Sequence, residues 1–191
     1  MKYPNLYKAF NRHIDLPIDV YLDLEGRLIH KKLGKKEFLF REGEVVKYLP
    51  FINDGLMINY IVEEDGEEHV IQIRGTGLWL GDLYSFFSDV RTRFNIQTCQ
   101  PTELLMINHE TFDYITKNHP VYEKFFRLNI QEAYVQTLNR IYNLHSATAE
   151  ERYLELIKNI PDLLDKIPHY LIASYLNIKP QSLSRIRKNL K

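Results

Sequence analysis

Gln181, Ser182, Ser184, Arg185, Arg187 and Lys188 crowd the stretch IASYLNIKPQSLSRIRKNL near the C-terminus. Their side chains suit one chemistry: amides, hydroxyls and guanidinium forks hydrogen-bond base edges, while cationic groups neutralise phosphates. From Lys166 to Lys191 the basic residues are Lys166, Lys179, Arg185, Arg187, Lys188 and Lys191, with no Asp or Glu among them. The whole chain has 25 Lys and Arg against 25 Asp and Glu, so residues 1–165 hold 19 basic against 25 acidic residues. A basic end on an acidic body points to a polyanion touched by one end only. A solvated Lys-rich terminus would carry the same charge, and the apolar spacing has to separate the two.

That spacing predicts two short helices meeting at a turn. Pro168 can open the first, whose apolar face is Leu171, Ile172, Tyr175 and Leu176, with Ala173 small enough for a close crossing. Asn177 tolerates the left-handed conformation that ends helices. Pro180 suits the first position of the second helix, where its missing N–H costs nothing. Leu183, Ile186 and Leu190 then face inward, leaving the polar and basic residues outside. A small residue, a turn residue and an apolar residue at 173, 177 and 183 match a helix-turn-helix. An ordinary helical hairpin fits the apolar spacing too, but does not explain why every charge is positive.

Other chemistries find little support. Cys99 is the only cysteine, which excludes an intramolecular disulfide, a thiolate zinc site and a Cys-ligated cluster within one chain. The run NIQTCQ makes it a buried strand residue. The histidines, at 13, 30, 69, 109, 119, 145 and 169, never form a His-x-His pair of the kind a cupin-like metal site needs. No nucleophile–base arrangement can be argued from spacing, so an enzyme is not expected. No apolar run approaches the roughly 20 residues of a membrane span, and the N-terminus has no signal-peptide pattern. A cytoplasmic protein without membrane association is expected.

Upstream elements must position this end. Residues 1–24 have Leu6, Phe10 and Ile14 at helical spacing. From Leu28 to Ile107 short apolar runs alternate with turn signals, among them Asn53-Asp54-Gly55 and an Asp65-Gly66 hairpin in YIVEEDGEEHVIQI. The spacing predicts a closed or sandwiched antiparallel sheet. HETFDYITKN is a short helix, and Pro120 opens a long one. That helix carries one stripe of Phe126, Ile130, Ala133, Thr137 and Leu144, and another of Leu128, Val135, Leu138 and Tyr142. One stripe can rest on its own domain; the second is met most simply by a symmetric partner helix. Burial between two domains of one chain would also satisfy it. Thr148-Ala149-Glu150-Glu151 fits a capping box at the start of a further helix.

The chain resembles the Crp/Fnr family, the cyclic-AMP receptor protein and its relatives, over residues 20–191. The residues that carry the resemblance are REGE at 41–44, GDLYSFFSDVRTRFNIQ at 81–97 and ASYLNIKPQSLSRIRK at 173–188, the last similar to Bacteroidetes members. The resemblance implies an α+β chain in three parts. Residues 1–117 would form an N-terminal antiparallel β-roll of jelly-roll-like, cyclic-nucleotide-binding-domain type, with an N-terminal helix. Residues 118–145 would form a long dimerisation helix using Leu128, Val135, Leu138 and Tyr142. Residues 146–191 would form a C-terminal helix-turn-helix domain.

The family's phosphate cassette reads Gly-Glu-Leu, then about ten residues later Arg-Ser/Thr-Ala. Gly81-Asp82-Leu83 and Arg93-Phe94-Asn95 stand there in this sequence, with Thr137 where the family contacts the base. Asp82 is one methylene short for the ribose, Phe94 replaces a hydroxyl, and Asp82 and Arg93 could instead pair with each other. No cofactor is required; a cyclic nucleotide or another small effector is left open. No clear wing follows the second helix, so phosphate contacts would fall to Lys179, Arg187, Lys188 and Lys191, and base contacts to Gln181, Ser182 and Arg185. The resemblance implies a homodimer that regulates transcription on a palindromic duplex operator, with RNA polymerase as a further partner. A sensing module acting on a protein instead of DNA is the alternative.

Overall fold

In the computed structural model, which describes residues 1–160 and 163–190, the chain is α+β, as expected. The N-terminal stretch forms two helices, α1 (Pro4–Phe10) and α2 (Ile18–Glu25), where one was expected. Asn11 ends the first by donating from its side-chain amide to Tyr7 O, and it accepts from the Leu16 N–H; Pro17 then caps the second. Leu6, Phe10 and Ile14 are all buried.

Seven strands follow among the described residues: β1 (Ile29–Leu33), β2 (Phe38–Phe40), β3 (Tyr48–Asp54), β4 (Leu56–Val62), β5 (Glu68–Gly75), β6 (Asn95–Thr98) and β7 (Thr102–Asn108). They make two antiparallel sheets, β1-β7-β3 and β2-β6-β4-β5. The chain passes from one sheet to the other at Gly55. Its φ is +126°, and a Cβ there would sit 2.4 Å from Thr102 Oγ1, so only glycine fits this corner. The hairpin at Asp65-Gly66 joins β4 to β5 with Val62 opposite Glu68. Gly66 donates its N–H to Glu63 O, and Asp65 accepts from the Glu67 N–H.

β4 is buried on both faces, and period-2 geometry says what covers each. Met57 points into the main core with Phe40, Phe51 and Ile96. Leu56, Ile58 and Tyr60 point the other way, into a second core shared with helices from the C-terminal part. Those helices are α6 (Ala149–Asn159), α7 (Leu163–Lys166), α8 (His169–Tyr175) and α9 (Pro180–Asn189). They contribute Tyr153, Leu156, Leu163, Ile167, Leu171 and Ile172 to that core.

A short helix α3 (Leu83–Ser88) lies between β5 and β6, and α4 (His109–Asn118) and α5 (Pro120–Ser146) lead from β7 to the terminal helices. α5 has 27 residues, about 40 Å of helix at 1.5 Å per residue. Its first turns are anchored by Tyr122, Phe125 and Phe126 in the main core. The capping box forms as the sequence implies: Thr148 Oγ1 accepts from the Glu151 N–H, and the Glu151 carboxylate accepts from the Thr148 N–H at 2.7 Å. Among the described residues, no helix is long and apolar enough to cross a membrane.

Candidate nucleic-acid interface and ligand cassette

The turn between α8 and α9 is built as its residues require. Asn177 adopts a left-handed φ of 53°, Asn177 N–H donates to Ser174 O, and Ile178 N–H donates to Ala173 O. Ala173 and Leu183 are fully buried where the helices cross. Lys179 caps α9 and Pro180 occupies its first position. Gln181, Ser184, Arg185, Lys188 and Lys179 lie exposed, with Ser182 half-buried beside them. Ser184 Oγ donates back to Pro180 O on its own helix at 3.1 Å.

Two expectations change here. Leu190 stays 42% exposed just past the helix end and does not join the inner face. Arg187 turns from the outer set toward α8, where its guanidinium hydrogen-bonds His169 Nε2. Burial first, and then the Arg187 charge, hold the His169 pKa below its ordinary value, which keeps the ring neutral and able to accept. Lys191 lies outside the described residues.

The helix pair is docked on the free edge of β5. Ser174 Oγ accepts from the Val70 N–H at 2.9 Å and donates to Glu68 O at 2.7 Å, replacing a missing neighbour strand. Arg140 of α5 donates to Ile71 O, Val70 O and Tyr175 O, and its guanidinium lies 4.4 Å from the Tyr175 ring centroid. Cys99 is buried in the same second core, as its strand context implies, and burial pushes its thiol pKa up to about 12.

On α5, Val135, Leu138 and Tyr142 are exposed, as a partner-facing stripe requires. Leu128 is half-buried against the main core and belongs to the inner side. Tyr134 and Ile141, at 63% and 50% exposure, complete the outward face with Leu138. Their four-then-three spacing through 134, 138 and 141 is the sequence signal that singles them out.

The cassette is a closed hydrogen-bonded turn. Asp82 is buried and caps α3: one carboxylate oxygen accepts from the Ser85 N–H at 3.1 Å, the other from Thr92 Oγ1 at 2.8 Å. Ser85 Oγ accepts from the Val46 N–H, and Thr92 Oγ1 also accepts from the Phe94 N–H. The REGE turn joins this network, since Gly43 N–H donates to Thr92 O, Thr92 N–H to Glu44 O, and Arg91 to Gly43 O at 2.6 Å. Asn95 accepts from the Glu42 N–H.

Gly81 precedes the cap, where an added Cβ would meet Pro50 at 3.5 Å, and Leu83 is 38% exposed. Arg93 is exposed and does not pair with Asp82. Thr137 is likewise exposed and donates to Ala133 O of its own helix at 2.8 Å. Phe94 is half-buried and offers no hydroxyl, while Thr92, two residues earlier, is buried on Asp82.

A cyclic phosphate needs backbone N–H groups, a hydroxyl and a guanidinium. In this chain the Ser85 N–H and the Thr92 hydroxyl are spent on Asp82, and the Arg91 guanidinium on Gly43 O.

The chain thus joins a two-sheet roll to a long helix and a set of terminal helices. Residues 30–119 match the family model of the cyclic nucleotide-binding domain. The whole arrangement is similar to the c-di-GMP responsive global regulator CLP of Xanthomonas campestris, with a TM-score of 0.71, 14% identity and 91% of each chain covered. It is similar to FixK2 of Bradyrhizobium japonicum, with a TM-score of 0.71 and 17% identity over 85% of this chain and 84% of that one. The catabolite activator protein of Thermus thermophilus gives a TM-score of 0.56 at 19% identity, covering 92% of this chain and 83% of that one. No curated protein matches the chain in sequence.

Proposed function

We propose that the protein is a homodimeric, sequence-specific DNA-binding transcription regulator of Crp/Fnr type. The observation that carries the reading is α9. Leu183 is fully buried against α8, while Gln181, Arg185 and Lys188 stand exposed on the opposite side, with Ser184 and the N-cap Lys179 exposed beside them. A helix held by one apolar face and offering unpaired donors on the other suits a major groove. The exposed Tyr134, Leu138 and Ile141 of α5 supply the seam by which two copies would present two such helices. Two-fold symmetry then places the half-sites about 34 Å apart on a palindrome.

The cassette acts in this reading as a brace tying the REGE turn to α3, so DNA binding requires no cyclic nucleotide. A second reading, a module acting on a protein, draws on exposed Tyr84 and Phe87 of α3, at 68% and 51%. In a regulator that surface suits RNA polymerase.

Selection of random duplex DNA by the purified protein without ligand tests the proposal. Enrichment of a palindrome with half-sites one helical turn apart is expected. Recovery of no sequence, with and without cyclic AMP, would overturn it in favour of the protein partner.

A further inference from the structure

A cavity of about 340 Å³ lies away from the cassette, between α1, the segment that follows β5, and α5. That size falls at the lower end of small-molecule sites, about 300–1,000 Å³. No cassette residue lines it. Its walls combine aromatic surface, from Trp79 and Phe125, with the cationic side chains of Arg12 and Arg74.

The polar groups here are left unspent. Arg74 is partly buried, and among the described residues it forms no ion pair. Removal from water disfavours its charged form, the largest influence on its pKa, which is lowered. The nearby carboxylate, Glu132, is taken by His13 at 3.2 Å and by the Gln136 amide at 3.2 Å. Trp79 Nε1 is buried and has no acceptor among the described residues. A buried donor without an acceptor and a half-buried cation without a counter-ion are both unfavourable. Both residues line one cavity, and an anion bound there would supply the counter-ion that Arg74 lacks.

We propose that this cavity is a binding site for a small organic anion with an aromatic or apolar body. The carboxylate or equivalent acidic group pairs with Arg74, and the body lies against Trp79 and Phe125. Its place on α5 is one helical turn before Arg140, which straps that helix to β5 and α8. The site does not depend on the DNA-binding reading, because it is tested without DNA.

Trp79 is the only tryptophan of the chain, so its fluorescence reports on the cavity directly. The full chain would be titrated with 4-nitrobenzoate, a nitroaromatic quencher of suitable size, and with uncharged 4-nitrobenzamide. Saturable quenching by the acid is expected, with binding about tenfold weaker for the amide and for Arg74→Gln. Glu132→Gln, which removes the opposing charge, should tighten the acid. Quenching that rises linearly without saturation, or equal affinity for acid and amide in the natural chain, overturns the proposal. The acid–amide comparison needs no variant, so a misfolded Arg74→Gln would leave the test intact.

Discussion

The cassette around Asp82 and the outer face of α9 hold the same kinds of side chain and dispose of them in opposite ways. In the cassette the Asp82 carboxylate, the Thr92 and Ser85 hydroxyls and the Arg91 guanidinium all find partners inside the chain. On α9 the Gln181 amide and the Arg185 and Lys188 charges point to solvent. Polar groups satisfied internally hold a fold together, whereas groups left open are available to a partner. The difference arises from backbone placement. Asp82 sits at a helix cap, where its short side chain reaches the Ser85 N–H, and α9 puts Arg185 and Lys188 on the face opposite Leu183.

The largest way to break this contrast is Leu183→Ala. Leu183 is fully buried at the crossing that orients the open face, and such truncations cost about 2–5 kcal/mol. Thermal or urea unfolding should show that loss, and DNA affinity should fall with it. A variant of unchanged stability would mean that α9 is not held by this crossing.

Arg185→Ala tests the open face without touching the core. Specific operator affinity should drop by about 1–3 kcal/mol while stability stays the same. Fluorescence anisotropy against matched and mismatched duplexes separates the two effects. An unchanged preference between duplexes would remove Arg185 from base contact.

Asp82→Ala reverses the expectation. Losing the cap costs about 0.5–2 kcal/mol of stability, and the Thr92 hydroxyl loses its acceptor. Operator affinity should not change at a temperature where the variant is folded. A large loss of DNA binding without loss of stability would show that the cassette is coupled to the helices, and is more than a brace.

Much of this was legible before any coordinates. The Asp65-Gly66 hairpin, the capping box at Thr148 and the helix starts at Pro120 and Pro180 follow from local chemistry, which acts over a few residues and survives any tertiary context. The outward face of α9 was legible because its periodicity is strong. Less legible were features set by distant partners. Nothing local to Arg187 announces that His169 will capture it, and nothing local to Thr92 announces that it will close on Asp82. The continuous apolar run of β4, LMINYIV, signals a strand covered on both faces, but cannot say that the outer cover is α8 and its neighbours. The cavity beside Arg74 was illegible for the same reason, since its walls come from α1, the Trp79 segment and α5.

The smallest expected effect concerns the one arginine that crosses from the open set to the closed one. Arg187 needs a neutral His169 as acceptor, and the His169 pKa in the folded protein is below its ordinary value of 6.5. Because the folded value is depressed, the unfolded chain takes up the proton first as pH falls. This pair therefore stabilises the fold above about pH 6.5 and loses that contribution as pH drops through the folded value. Protonated His169 also repels Arg187, turning it outward into the open set. The salt dependence of DNA binding should then steepen by about 0.9 in slope, the equivalent of one more phosphate contact, between neutral pH and a pH below the folded His169 value. His169→Gln, which cannot titrate, should show the same slope at both pH values. If natural chain and variant steepen alike, Arg187 is held by something other than the neutral ring.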